Sequence, residues 1–211
     1  MSHRDDPDFR SEPVPGLPER LPRGEEILWQ GRPATMALAR SALKLDWVAG
    51  YFVLLAVWRV GVSSVDMGVA GALPLALPFL ALGLVACAIL VGIAHVQARA
   101  TLYTITTARV AMRIGAALTL TANLPYPRIA RADLALGSNA TGTISLSTLG
   151  ETRLSYFVLW PHVRPWHMKR VQPSLRCIPD AERVAEILAD AADARVNRPE
   201  IARRPVAVAA E

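Results

Sequence analysis

Between Asp66 and Arg99 this 211-residue chain carries no charged side chain, and Met67–Ala94 is an unbroken run of 28 apolar or small residues. About 20 such residues suffice to cross the hydrocarbon core of a bilayer. A buried helix of a soluble protein would place a polar residue at every third or fourth position, and this run has none. It reads as a membrane span.

A second apolar segment precedes it. Leu45–Trp58 is apolar apart from Asp46, but its 14 residues give only about 21 Å of helix. Extension to Val65 closes the gap and leaves Arg59 near the far end, where it can reach the headgroups or meet Asp66. A re-entrant half-span is the alternative. The next span starts near Pro74, tolerated in a first helical turn, runs from Leu75 to about Val96, and is kinked by Pro78. The two segments predict a two-helix transmembrane hairpin over residues 47–96. Seven of the 23 basic residues come before it, Arg59 lies within it, and fifteen follow. Arg32, Arg40 and Lys44 on one side and Arg99, Arg109 and Arg113 on the other predict an inner-membrane, multi-pass protein with both termini cytoplasmic.

Outside the spans, residues 1–24 hold five prolines and many charges, and are expected to be extended and poorly ordered. No cleavable signal peptide is visible in this polar start. Residues 25–46 form a lead-in: a strand-like piece, Glu25 to Pro33, then an interfacial helix over Ala34–Leu45. From Thr101 the period changes to two. Residues 101–106, 109–114, 118–121, 143–147 and 153–158 alternate or are β-rich, with turn residues between them, which indicates antiparallel sheet. Asp180 can cap a closing helix, Ala181 to about Ala194, with Val184, Ile187, Leu188 and Ala191 on one face. Sheet followed by one amphipathic helix predicts a pleckstrin-homology-like (PH-like) antiparallel β-barrel over residues 97–194, closed by that helix, with a mobile tail at 195–211. The fold class expected is therefore an α+β membrane protein.

The net charge of +5 suits anionic lipid; no compact Lys/Arg run points to nucleic acid. Cys87 at membrane depth and Cys177 outside it imply no disulfide. Gly-rich phosphate loops, Cys-x-x-Cys, His-Glu-x-x-His and Gly-x-Ser-x-Gly are all missing from the sequence, so no enzyme is read from it.

The densest unusual stretch is Trp160-Pro-His-Val-Arg-Pro-Trp-His167. Trp160, His162, Arg164 and Trp166 are candidates for binding a partner, since Trp and Arg are frequent interface anchors. A lipid-facing belt and packing over the open end of the barrel remain alternatives. His162 and His167 lack a Cys or acidic neighbour and are not read as metal ligands. Gly83, Ala86 and Gly92 are small enough for close approach of a partner's membrane helices, and a homodimer through the hairpin is the other partner they suit. His95, at the cytoplasmic end of the second span, could ligate the magnesium of bacteriochlorophyll. Arg109 and Arg113 could serve an anionic-lipid sensor.

The segments Glu12-Pro-Val-Pro-Gly-Leu-Pro-Glu-Arg-Leu-Pro22, Gly24-Glu-Glu-Ile-Leu-Trp-Gln-Gly-Arg-Pro33, Thr101-Leu-Tyr-Thr-Ile-Thr-Thr-Ala-Arg-Val110, Trp160-Pro-His-Val-Arg-Pro-Trp166 and Gln172-Pro-Ser-Leu-Arg-Cys-Ile-Pro179 closely resemble the PuhB family of photosynthetic complex assembly factors from purple phototrophic bacteria. The resemblance covers nearly the whole chain. Its Trp-x-Gly-x-Pro and Tyr-x-Ile-Thr-x-x-Arg elements are shared more widely with membrane-anchored bacterial PH proteins. It implies a non-enzymatic role in assembling the reaction centre, and with it the light-harvesting polypeptides, in the intracytoplasmic membrane. It carries over no catalytic residues.

Overall fold

The computed structural model describes residues 13–115, 119–137, 140–150 and 155–196. Strand β1 (Ile27–Gly31) comes first, then a short helix α1 (Thr35–Ser41). Lys44, in the left-handed conformation, ends that helix region and starts α2 (Leu45–Ala72). A 3-10 turn (Leu73–Ala76) leads into α3 (Leu77–Ala100). The run Leu45–Ala100 has a mean hydropathy of 2.6 in its most apolar window and is long and apolar enough to cross a membrane. Its one break is Gly68, at φ 71° and ψ 163°, a conformation essentially reserved for glycine. The first helical stretch therefore extends to about Met67, roughly 34 Å at 1.5 Å per residue, and the shortfall read from Leu45–Trp58 disappears. Among the described residues no ion pair joins Arg59 to Asp66.

Helices α2 and α3 touch through small residues. A Cβ on Gly83 would come within 2.6 Å of the Phe52 Cβ, so only glycine allows this approach. Nearer α1, Leu45 and Ala39 pack on Ala94 with Cys87, Leu90 and Val91 around them.

After Thr101 the alternating segments become strands β2 (Leu102–Thr106), β3 (Arg109–Ile114), β4 (Leu120–Pro125), β5 (Ile129–Leu136) and β6 (Thr141–Thr148). A single helical turn, α4 (Tyr156–Leu159), strand β7 (Ser174–Pro179) and helix α5 (Ala181–Val196) complete the order. All ladders are antiparallel. Among the described residues they form two sheets, β1-β2-β3-β4 and β5-β6-β7, and not the single barrel, open at one corner and closed there by the C-terminal helix, that is expected. Between β4 and β5 the chain turns through Tyr126-Pro127-Arg128, and proline has no N–H to carry a ladder across that corner. A single core joins the sheets: Tyr103, Ile105 and Met112 from one meet Ile144, Leu146 and Leu175 from the other. Helix α5 closes it with Val184, Leu188 and Ala191, and Ile187 packs against the edge.

Three expectations change. Strand β1 pairs with β2, Gly31 opposite Tyr103, so the lead-in supplies part of the domain and the helical run is inserted between two adjacent strands. Residues 14–17 are not loose. Val14 bridges Leu17, which is buried, and the Gln30 amide donates to the Pro15 carbonyl. Tyr156–Leu159 is helical, not the strand expected over 153–158, because Leu159 faces the core while Phe157 and Val158 face out. The expected loose ends before residue 13 and after residue 196, and the first residues of the 153–158 strand, lie outside the described residues.

Candidate functional site

The connector from β6 to β7 carries the residues singled out above, and it gives them three different environments. His162 N–H donates to the Leu159 carbonyl, Ser174 N–H to the His162 carbonyl and Arg164 N–H to the Gln172 carbonyl. Val163 bridges Pro173. The chain thus goes out and back as a short two-stranded arm, with residues 165–171 at its tip.

His162 lies at the base and is 2% exposed, which removes it from the partner-binding candidates. Its Nδ1 is 2.6 Å from the Tyr103 hydroxyl and its Nε2 3.1 Å from Thr101 Oγ1. Thr101 donates to the Gln97 carbonyl, and Arg176 N–H donates to the Tyr103 hydroxyl. These directions fit one arrangement, assigned from the network: Tyr103 donates to Nδ1 and the Nε2–H donates to Thr101. The imidazole is then neutral and fully satisfied. Burial, reinforced by the nearby Arg176 charge, pushes its pKa down to about 3, while burial pushes the Tyr103 hydroxyl above its usual range. A proton on Nδ1 would face a hydroxyl already accepting from Arg176. His162 is a peg that ties the connector to the end of α3.

Arg176 ties the same place from below. Its guanidinium, 6% exposed as a residue, donates to the Pro161 carbonyl and to Ser41 Oγ of α1. Arg164 is half-exposed and donates to Asp133 of β5 at 2.9 Å and to Gln172 at 3.2 Å; it braces the arm against the sheet. Trp160 is 42% exposed. Trp166, at the tip with φ 65°, is 88% exposed and stands free among Met168, Lys169 and Arg170, all exposed. Of the four candidates, Trp166 is the one fully presented to a partner.

Within the helices the small-residue candidates also separate. Gly83 packs on Phe52 and Ala86 is half-buried. Gly92 faces outward, and a methyl group added to it would meet nothing within 4 Å. His95 is exposed one turn beyond Gly92.

The arginines considered for lipid sensing are occupied. Arg109 Nε and Nη2 donate to the two carboxylate oxygens of Glu25 at 2.9 and 3.2 Å, and Thr106 donates to the same carboxylate. Arg113 is buried and donates to the Ala100 carbonyl. The first pair clamps the chain ahead of β1 onto the sheet, and the second ties β3 to the end of α3.

Two features were missed from the sequence. One is the Glu25–Arg109 clamp, whose partners are 84 residues apart. The other is a groove of about 280 Å³ between β5 and α5, lined by Ala132, Leu134, Ala185, Leu188 and Ala192. Its only sequence signal was the alternation of small apolar residues in Ile129–Leu136, which is rich in helix formers.

Two antiparallel sheets capped by one C-terminal helix are the frame of a PH-like domain, and the bacterial PH domain family matches residues 48–192. The chain belongs to that family. This bacterial PH domain is also 48% identical, over 207 residues and 97% of each chain, to a Rhodobacter capsulatus protein described as an uncharacterized 23.7 kDa protein in the puhA 5′ region. No solved structure matches it. Its family match takes in nearly all of α2, all of α3 and strands β2 to β7, with β1 lying before it, so the helical run is part of the family pattern.

Proposed function

We propose that this bacterial PH domain protein is a non-enzymatic membrane assembly factor for the photosynthetic reaction centre, and with it the light-harvesting antenna. The observation that carries the reading is the relative in the puhA 5′ region, alike over 97% of both chains; the resemblance to photosynthetic complex assembly factors agrees with it.

In this reading α2 and α3 cross the intracytoplasmic membrane as a hairpin and hold the sheets at its cytoplasmic face. The β1–β2 register supports an even number of crossings, since Gly31 and Tyr103, on either side of the helical run, sit opposite each other. The spacing about Gly68 supports it too. Phe52 is 16 residues before that break and its neighbour Gly83 is 15 after it, as in a helix that folds back on itself. The basic residues flanking the run favour a cytoplasmic location for both termini. Trp166 is the anchor offered to a nascent subunit, and the arm braced by His162 and Arg164 keeps it presented without the entropy of ordering a loop.

Affinity recovery from mildly solubilised photosynthetic membranes tests this. Trp166→Ala is expected to leave the purified protein folded and to reduce co-recovered reaction-centre subunits several-fold. Undiminished recovery would remove Trp166 as the anchor, and absence of these subunits even with the unaltered protein would remove the assembly role. A second reading, a bacteriochlorophyll carrier ligated by His95, has in its favour an exposed imidazole beside the open surface over Gly92. Gently purified protein without pigment absorbance would end it.

A further inference from the structure

Helix α4 presents two large apolar side chains to the outside, Phe157 at 81% and Val158 at 60% exposure, and Trp160 follows. Their inner neighbour, Leu159, is buried. Three exposed apolar side chains within four residues, on an element whose Tyr156 and Leu159 pack on the core, make a patch that calls for a surround other than water.

The position of the patch identifies that surround. Pro161 and His162, next in the chain, are held by the Arg176 and Thr101 contacts described above. Thr101 is the residue immediately after α3. Arg176 also reaches Ser41, the last residue of α1. The patch therefore lies beside the point where the apolar run leaves and re-enters the sheets. The exposed Arg99 in the last turn of α3 places positive charge beside it, which complements anionic headgroups; Arg40 in the last turn of α1 is paired with Asp46.

We infer that Phe157, Val158 and Trp160 form a second contact with the bilayer, seated at the headgroup–acyl boundary of the leaflet from which the helices emerge. The inference rests on the reading of α2 and α3 as membrane-spanning. Tryptophan and phenylalanine favour this depth, where an apolar ring can be desolvated while the indole N–H still finds water or a headgroup. One helical turn is too short to bind a membrane alone. Held at a fixed height by His162, it has no search entropy left to lose. The contact adds to the ties at Ala100, Thr101 and Ser41 that hold the sheets against the helices, and so helps set the direction in which Trp166 points.

The test uses the full-length protein in phosphatidylcholine/phosphatidylglycerol vesicles containing lipids brominated either near the headgroup or near the bilayer centre. The emission of one tryptophan is read as the difference between the protein and its Trp→Phe variant. For Trp160, from Trp160→Phe, the expected result is loss of emission in brominated vesicles, greater with shallow bromines than with deep ones. For Trp58, from Trp58→Phe, quenching reports the span itself. Trp58 quenched with Trp160 unaffected would overturn the inference and leave the membrane-spanning reading standing; that outcome would assign the patch to a protein partner. Trp58 unquenched would overturn the spanning reading first. As a second check, Phe157→Asp, with Trp160 again read from the difference on adding Trp160→Phe, is expected to lower the shallow quenching of Trp160 while circular dichroism stays unchanged; unchanged quenching would count against the inference.

Discussion

In α2 and α3 the large side chains lie outside: Trp47, Leu54, Trp58 and Leu84 are 64–80% exposed, whereas Ala56, Gly83 and Ala94 are buried between the helices. In β2 and β3 the arrangement is reversed, with Tyr103, Ile105 and Met112 wholly inside. Large residues inside are what water imposes, because each buried aliphatic side chain contributes about 1.5–3 kcal/mol. Small residues inside and large ones outside fit a hydrocarbon surround, where apolar side chains gain nothing by hiding and helices associate by close backbone approach. One chain thus follows two opposite rules, and the boundary between them is Ala100–Thr101.

The contrast can be broken most forcefully in the sheets. Ile105→Ala removes a fully buried side chain in the common core, and about 2–5 kcal/mol of stability should go with it, measured by denaturant unfolding in mild detergent. A loss below about 1 kcal/mol would mean that the core tolerates a cavity unusually well. Leu84→Arg asks the converse question, since an exposed Leu→Arg change in water would be nearly neutral. In a membrane it should cost about 3 kcal/mol of insertion at the helix centre, read as a shift of the protein from the membrane to the soluble or degraded fraction. Normal membrane recovery would argue that this face meets water or a protein.

The smallest effect sharpens the boundary itself. His162 is neutral in the fold, with its pKa lowered from 6.5 to about 3, so the unfolded chain takes up its proton first as pH falls. Its contribution is therefore complete above pH 6.5 and is lost progressively between pH 6.5 and 3. His162→Gln keeps a polar side chain that does not titrate. It should cost about 1–3 kcal/mol near neutral pH through imperfect hydrogen bonds and should flatten the acid slope in that window. A slope identical to that of the unaltered protein would show that other groups set the acid response.

Much of this architecture could be read from residue order, and the failures have physical causes. The charge-free run, the alternation around Thr101–Ile114 and the amphipathic stretch after Asp180 are local patterns, and each became an element close to its expected bounds. Strand β5, Ile-Ala-Arg-Ala-Asp-Leu-Ala-Leu, was not recognised because its composition favours helix; its pairing with β6 decides otherwise. The site was legible as a location but not as a set of roles. His162 looked like a surface residue because the groups that satisfy it, Thr101 and Tyr103, are about 60 positions away. Phe157 and Val158 were assigned to a strand, since nothing nearby in the sequence reveals that Leu159 is drawn into the core.

The insertion of the helices between β1 and β2 also sets a timetable for synthesis. Strand β1 leaves the ribosome about 70 residues before β2 begins, a wait of roughly 4–14 s at ordinary elongation rates. During that interval Ile27–Gly31 lacks its β2 neighbour, and the intervening chain holds the segment that is long and apolar enough to cross a membrane. If α2 and α3 cross the membrane as proposed above, the first sheet can zip up only after both helices have been delivered and the chain has returned to the side where β1 waits. On that proposed reading, completion of the sheets is a built-in report that the membrane segment has been threaded, and a newly made copy would present Trp166 only once that report is given.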